Sequence, residues 1–137
     1  MGTRCEFKRT RLLKIMKPNE IQRWAQTYIE AQSREITNTE DPLWWAIDLF
    51  FELMESKPEA CWEVLVEISR RNPPEGVIRI AGAGPLEDLI DSHGNRFIDQ
   101  IEVEAKRNLV FRKMLDAVWE SSDNTTWSRI MEIRSQK

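Results

Sequence analysis

The sequence predicts an all-α fold, a single-domain irregular helical array or orthogonal bundle built of HEAT-like helical hairpins, with about seven or eight helices. Three observations predict it. Apolar residues recur at spacings of three and four in one segment after another, which places them on one face of a helix. Proline stands at predicted helix starts at 42, 58, 73 and 85, where its missing N–H costs nothing. No stretch alternates apolar and polar residues between turn signals, so strands are not expected.

The chain of 137 residues is 41% hydrophobic and 31% charged and holds six tryptophans. That suits one folded domain able to bury a core without staples. Cys5 and Cys61 are its only cysteines; two isolated thiols suggest neither a disulfide framework nor a zinc site, and fit a reducing cytoplasm. No apolar run approaches the roughly 20 residues that span a bilayer, and the N-terminus does not read as a secretory signal. The expectation is a cytoplasmic protein that does not enter a membrane.

The net charge of -3 divides unevenly, with +5 over residues 1–17 and -8 over 18–137. Residues 1–17 therefore read as a basic leader, solvated or flexible, and 18–137 as the helical domain. An acidic body lacks the clustered Lys and Arg that phosphate backbones require, so nucleic acid is not expected as its partner.

In chain order, segment 19–33 carries Ile21, Trp24, Ala25, Tyr28 and Ile29 on one face. A polar break at 33–40 follows, and Asp41-Pro42 supplies a cap and a first-turn proline for a helix at 42–55. That helix leaves one narrow polar stripe, Asp48, Glu52 and Glu55, so most of its circumference should be buried. Ser56-Lys57-Pro58 repeats the device, and helix 58–71 sets Glu59, Glu63 and Glu67 opposite Trp62, Leu65, Val66 and Ile68. So short a connection folds the two into an antiparallel hairpin.

Asn72 with Glu75 is expected as a capping box for a short helix carrying Val77, Ile78, Ile80 and Ala81. Ala81-Gly82-Ala83-Gly84 should stop that helix and let a neighbour approach its backbone. Pro85 should start the next, with Leu86, Leu89 and Ile90 inward and Gly94 as a left-handed C-cap. Segment 95–107 buries Phe97, Ile98, Ile101 and Ala105, and Asn108 caps a helix bearing Phe111, Met114, Leu115, Val118 and Trp119. A break at 121–124 precedes a last helix around Trp127, Ile130, Met131 and Ile133.

The search for chemistry is mostly negative. Gly82-Ala83-Gly84 begins a dinucleotide fingerprint, but Glu87 occupies the third glycine's place and no strand precedes it. The sequence has no Walker lysine, GxSxG, HExxH or CxxC. His93, the only histidine, falls at a predicted helix C-terminus and is expected to meet carbonyls there. The pairs Glu87/Asp91 and Glu59/Glu63 resemble those of di-metal bundles, yet lack the accompanying Glu-x-x-His. Catalytic residues, cofactor and metal are accordingly not expected.

Three polar residues of the central stretch bear two readings each. Glu87, third after Gly84, should accept the free N–H groups of a helix start. Glu102 and Arg112 flank apolar faces of consecutive helices and are expected to pair across the turn, with Asp116 as a competing partner for Arg112. The alternative makes them, with Trp119, the lining of a pocket. Trp44 and Trp45 are adjacent and cannot face one direction on a helix, so one of them is a candidate contact for a second surface.

The run AGPLEDLI at 83–90, Ile101-Glu102 with Ala105, and FRKMLDAVW at 111–119 resemble an uncharacterised bacterial all-helical domain family with AGPLEDLL, IE-x-x-A and FR-x-x-L-x-x-VW blocks. The resemblance covers 42–119 in the family's order; Ile90 stands where leucine is usual. It implies an all-helical fold and places Gly84, Pro85, Glu87, Asp88, Glu102, Arg112 and Trp119 at signature positions. It brings no activity and no catalytic residue.

Two function classes follow. The first is a non-catalytic protein-binding module of the bacterial cytoplasm, immunity- or antitoxin-like, covering a basic partner with the Asp48/Glu52/Glu55 and Glu59/Glu63/Glu67 stripes and with Trp44 or Trp45 as anchor. The second is an enzyme or small-ligand binder with a pocket around Glu87, Glu102, Arg112 and Trp119. A flat acidic face favours the first, a deep polar pocket the second.

Overall fold

The computed structural model describes residues 16–120 and 123–136. The basic leader expected at 1–17 falls outside them up to residue 15, as do Ser121 and Ser122 of the predicted break. Helix α1, Pro18–Ser33, begins where the Glu20 carboxylate accepts the Lys17 backbone N–H at 3.0 Å. It buries Ile21, Trp24, Ala25, Tyr28 and Ala31.

Helix α2, Trp44–Leu53, starts two residues later than predicted. Asp41 accepts the Leu43 N–H on its carboxylate and the Trp44 N–H on its carbonyl, so Asp41-Pro42 forms a turn ahead of the helix. The Trp24 indole N–H donates to the Ala46 carbonyl at 2.8 Å, and Phe50 packs on Trp24 and Tyr28 with ring centroids 4.7 and 5.2 Å apart. These contacts satisfy the indole's only donor inside the core and lock α2 onto α1.

Helix α3, Pro58–Arg70, is the centre. Cys61, Val64, Leu65 and Ile68 are fully buried, and α3 packs against α1 and α2 and against the later helices as well. Its main partner is α1 rather than the α2 that precedes it. A solenoid repeat touches only its neighbours; these contacts between distant segments make the fold a bundle around α3.

Asn72 does not cap the next helix. It adopts a left-handed conformation, φ 49°, just past the end of α3, while α4, Glu75–Ala81, starts behind Pro74 without a side-chain cap. Asparagine tolerates this conformation because its short polar side chain bonds locally.

The chain also does not stop at Ala81-Gly82-Ala83-Gly84. It widens into a π turn, Gly82–Leu86, and continues as α5, Glu87–Arg107. Pro85 lies inside this rod, where the wider turn absorbs a residue that can donate no helical N–H. Gly82 faces α6, Leu109–Asp116, so closely that a Cβ there would lie 2.1 Å from the Met114 carbonyl oxygen. The close approach expected of these small residues is therefore present, without the helix break.

Gly94 is not left-handed; the predicted boundary survives only as a kink at His93, φ -138° and ψ 22°, inside α5. The His93 Nε2 lies 2.9 Å from the Met54 carbonyl just past α2, so the ring meets carbonyls of another helix than its own. Asn108 does cap α6, accepting the Phe111 N–H at 3.1 Å, and Asp123 caps α7, Asn124–Ser135, through the Thr126 N–H at 2.8 Å. Among the described residues there is no strand, and no helix is long and apolar enough to cross a membrane.

Candidate functional site

The structure brings Glu87 and Trp119 together and sends Glu102 and Arg112 elsewhere. Glu87 does not sit at a free helix start, because the π turn runs into α5 and supplies carbonyls ahead of it. Its Oε1 instead accepts the Trp119 backbone N–H at 2.8 Å. The neighbouring Val118 side chain is buried, so this hydrogen bond and that anchor hold the backbone while the Trp119 indole stands 77% exposed. Trp119, Trp127, Met131 and Ala83 line an open cleft of about 620 Å³ together with Arg79 and Arg134. Arg134 stacks over Trp127 and donates to the Asp116 carbonyl.

The expected Glu102–Arg112 pair does not form. Glu102 faces α7 and accepts from Arg129 at 2.8 Å, with Lys106 on its other oxygen at 3.5 Å. Arg112 donates to the Ala105 carbonyl near the end of α5 and to the Gln136 carbonyl past α7. A guanidinium placed there meets the negative ends of two helices and satisfies their orphan carbonyls. Asp116 pairs with Arg134 rather than Arg112. Gly84 and Pro85 lie in the π turn and Asp88 is exposed on the first turn of α5.

The predicted acidic stripes are present but partly neutralised. Glu52, Glu55, Glu59 and Glu63 are exposed, whereas Asp48 and Glu67 are half-buried. Glu59 is paired with Arg96 and Glu67 with Arg71. Trp44 and Trp45 are both half-buried, and Trp45 packs on the core under Arg23. The tryptophan that stands exposed is Trp119.

A second concavity of about 640 Å³ opens between α3, α5 and the start of α1. At one end Glu104, 3% exposed, accepts from Arg70 at 3.1 Å and from Arg107 at 2.9 Å on Oε1, and from Asn108 on Oε2. Asn108 also donates to the Ser69 hydroxyl. Burial raises the Glu104 pKa, but Asn108, Arg107 and Arg70 together outweigh it and hold it below the ordinary value. Sequence reasoning missed this cluster, although Glu104 stands three residues after Ile101 on the buried face of α5. A carboxylate at an apolar position is the signal that could have found it.

The described residues hold no cluster of His, Cys, Asp and Glu arranged for a metal ion. Burial pushes the Cys61 thiol up to about 12, which suits packing and not nucleophilic attack. Residues 32–137 match a family of unknown function, DUF6869. The chain belongs to that family. No curated protein and no solved structure matches it. The DUF6869 match contains the whole cleft beside Trp119, while Met16, Pro18, Ile21 and Gln22, one wall of the second concavity, lie outside it.

Proposed function

We propose that the chain is a non-catalytic protein-binding module. Its acidic body favours an immunity- or antitoxin-like role in the bacterial cytoplasm, with a basic protein as partner. The observation that carries the reading is Trp119, a large aromatic left in water on a backbone clamped by Glu87 and Val118. Such a side chain has lost its backbone freedom before any partner arrives, and Trp beside Met and Arg is the composition of binding hot spots. The small-ligand reading loses support because Glu102 and Arg112 serve other helices and do not converge with Glu87 and Trp119.

Capture of the partner from the native host, followed by binding kinetics, tests the proposal. Trp119→Ala should speed dissociation by at least about tenfold, the cost of one hot-spot residue. Reversing Glu52 and Glu55 to Lys should slow association and flatten its salt dependence. Dissociation unchanged by Trp119→Ala would remove the support of the cleft.

A further inference from the structure

We propose that the trough between α3 and α5 docks an amphipathic helix of a partner protein, gripped along an apolar floor and oriented by opposite charges at its two ends. This rests on the binding-module reading but uses a surface that does not include Trp119. Met16, Pro18, Ile21 and Gln22 at the start of α1 bound the trough as well; α3 and the second half of α5 run parallel, because Glu59 pairs with Arg96 and Arg70 with Glu104. Glu63, Glu67 and Arg70 of α3 line one side and Asp99, Val103, Glu104 and Arg107 of α5 the other, each at helical spacing. From 63 to 70 the wall is about 10 Å long, two turns of a docked helix.

Trp62 and Val66 make the floor, and Val103, 54% exposed, leaves an apolar wall in water. The ends differ in charge. Glu63 and Asp99 mark one, although Arg129 engages Asp99. At the other, Arg70 and Arg107 share a single oxygen of Glu104, and Glu67, one turn before Arg70, is held by Arg71, so two cations face one anion. Arg70 donates one of its five N–H groups to Glu104 and Arg107 two, which leaves donors for an incoming carboxylate. A helix with a basic end over Glu63 and Asp99 and an acidic end over Arg70 and Arg107 meets complementary charge at both; the reverse orientation meets like charge at both.

The probe is a phage-displayed library of helical peptides selected against the full chain. Selected peptides should carry apolar residues at i, i+3, i+4 and i+7 with basic and acidic residues segregated to opposite ends. The double variant Glu63→Lys, Asp99→Lys should weaken them at least about tenfold, and a peptide with its basic end changed to Glu should recover binding to that variant. Val103→Lys should abolish binding, and Trp119→Ala should leave it unchanged, which separates failure here from failure of the cleft. The proposal is overturned if no selected peptide is sensitive to Val103→Lys, or if the winners show no charge segregation. It is also overturned if sedimentation finds a dimer that Val103→Lys dissociates, since a second copy then fills the trough. A lower thermal midpoint for the free Val103→Lys chain would mean that the chain fills its own trough, with the same consequence.

Discussion

Glu87 reaches across 32 residues of sequence to accept the backbone N–H of Trp119 at 2.8 Å, joining the start of α5 to the irregular segment after α6. The acceptor is a side-chain carboxyl oxygen and the donor a backbone amide outside any helix, so little else orders that amide. Glu87→Ala should cost about 1 kcal/mol and sharply raise hydrogen exchange at the Trp119 amide, while Glu87→Gln keeps an acceptor and loses less protection. Unchanged exchange in Glu87→Ala would show that the segment is held by Val118 alone.

The two glycines flanking Ala83 should respond oppositely to alanine. A Cβ on Gly82 would lie 2.1 Å from the Met114 carbonyl oxygen and 2.9 Å from the Ala117 Cβ, and a backbone carbonyl cannot rotate away. Gly82→Ala should therefore destabilise by about 3 kcal/mol, at the high end for overpacking. Around Gly84 a Cβ meets nothing within 4 Å, and φ is not positive. Gly84→Ala should be neutral or stabilising by up to about 1 kcal/mol, the helix-propensity difference. Chemical denaturation of both variants reads the contrast, and equal effects would mean that the π turn does not hold α6 at this distance.

Charge partners across helices can be tested by double-mutant cycles. Glu102 and Arg129 should show coupling, whereas Glu102 and Arg112 should be additive, because Arg112 donates only to carbonyls. Coupling between Glu102 and Arg112 would contradict the placement of α7 against α5.

These residues also mark what the sequence could and could not tell. Helix positions were legible because burial on α1 and α3 follows the periodicity of Trp24, Tyr28, Leu65 and Ile68, and because Asn108 caps by a strictly local bond. Where a local signal had two uses, the sequence reading took the commoner one. Gly82 and Pro85 read as a stop and a start, but the same residues also fit a π turn pressed against α6. Asn72 read as an N-cap, yet the chain needed a left-handed residue there to leave α3. The partners of Glu102 and Glu87 were illegible for another reason: they lie 27 and 32 residues away, and helical periodicity gives the face of a residue without naming the helix opposite. The same limit hid Trp119, whose place on the apolar face of α6 predicted burial: α6 ends at Asp116, so Trp119 lies past the helix and leaves its face, and the residue stands exposed.

Asp88 should be a source of mild instability at neutral pH. Although the residue is exposed, partial desolvation of its carboxyl by the surrounding chain raises its pKa first, and the charges of Glu87 and Asp91 raise it further. A carboxyl with a raised pKa binds its proton more tightly in the folded chain, so folding loses stability as pH rises and the group ionises. Asp88→Asn should raise the thermal midpoint at pH 7 and have no effect near pH 3, where the carboxyl is protonated in both states. A benefit that persisted in acid would have to come from something other than this charge.

Glu104 should do the opposite, and its pH dependence tests the cluster at the end of the trough. Burial pushes its pKa up, but the hydrogen bonds from Asn108 and Arg107 and the charge of Arg70 bring it below the ordinary 4.5. With a folded value below the unfolded one, the contribution to stability is complete above pH 4.5 and is lost as pH falls through the folded value. Replacing the charge by Glu104→Gln keeps the shape and one acceptor oxygen but leaves both guanidiniums without a counter-charge. The cost at pH 7 should be about 2 kcal/mol, below the usual figure for breaking a buried pair because Arg70 and Arg107 are half-exposed. In acid the wild type forfeits the same interaction, so the stability curves of the two proteins should converge as pH falls below 4.5. Urea denaturation from pH 7 to pH 3 measures both. Curves that stay parallel across that range would show that Glu104 titrates alike in the folded and unfolded chain, so that Asn108, Arg107 and Arg70 do not favour its charged form and do not form the cluster proposed at that end of the trough.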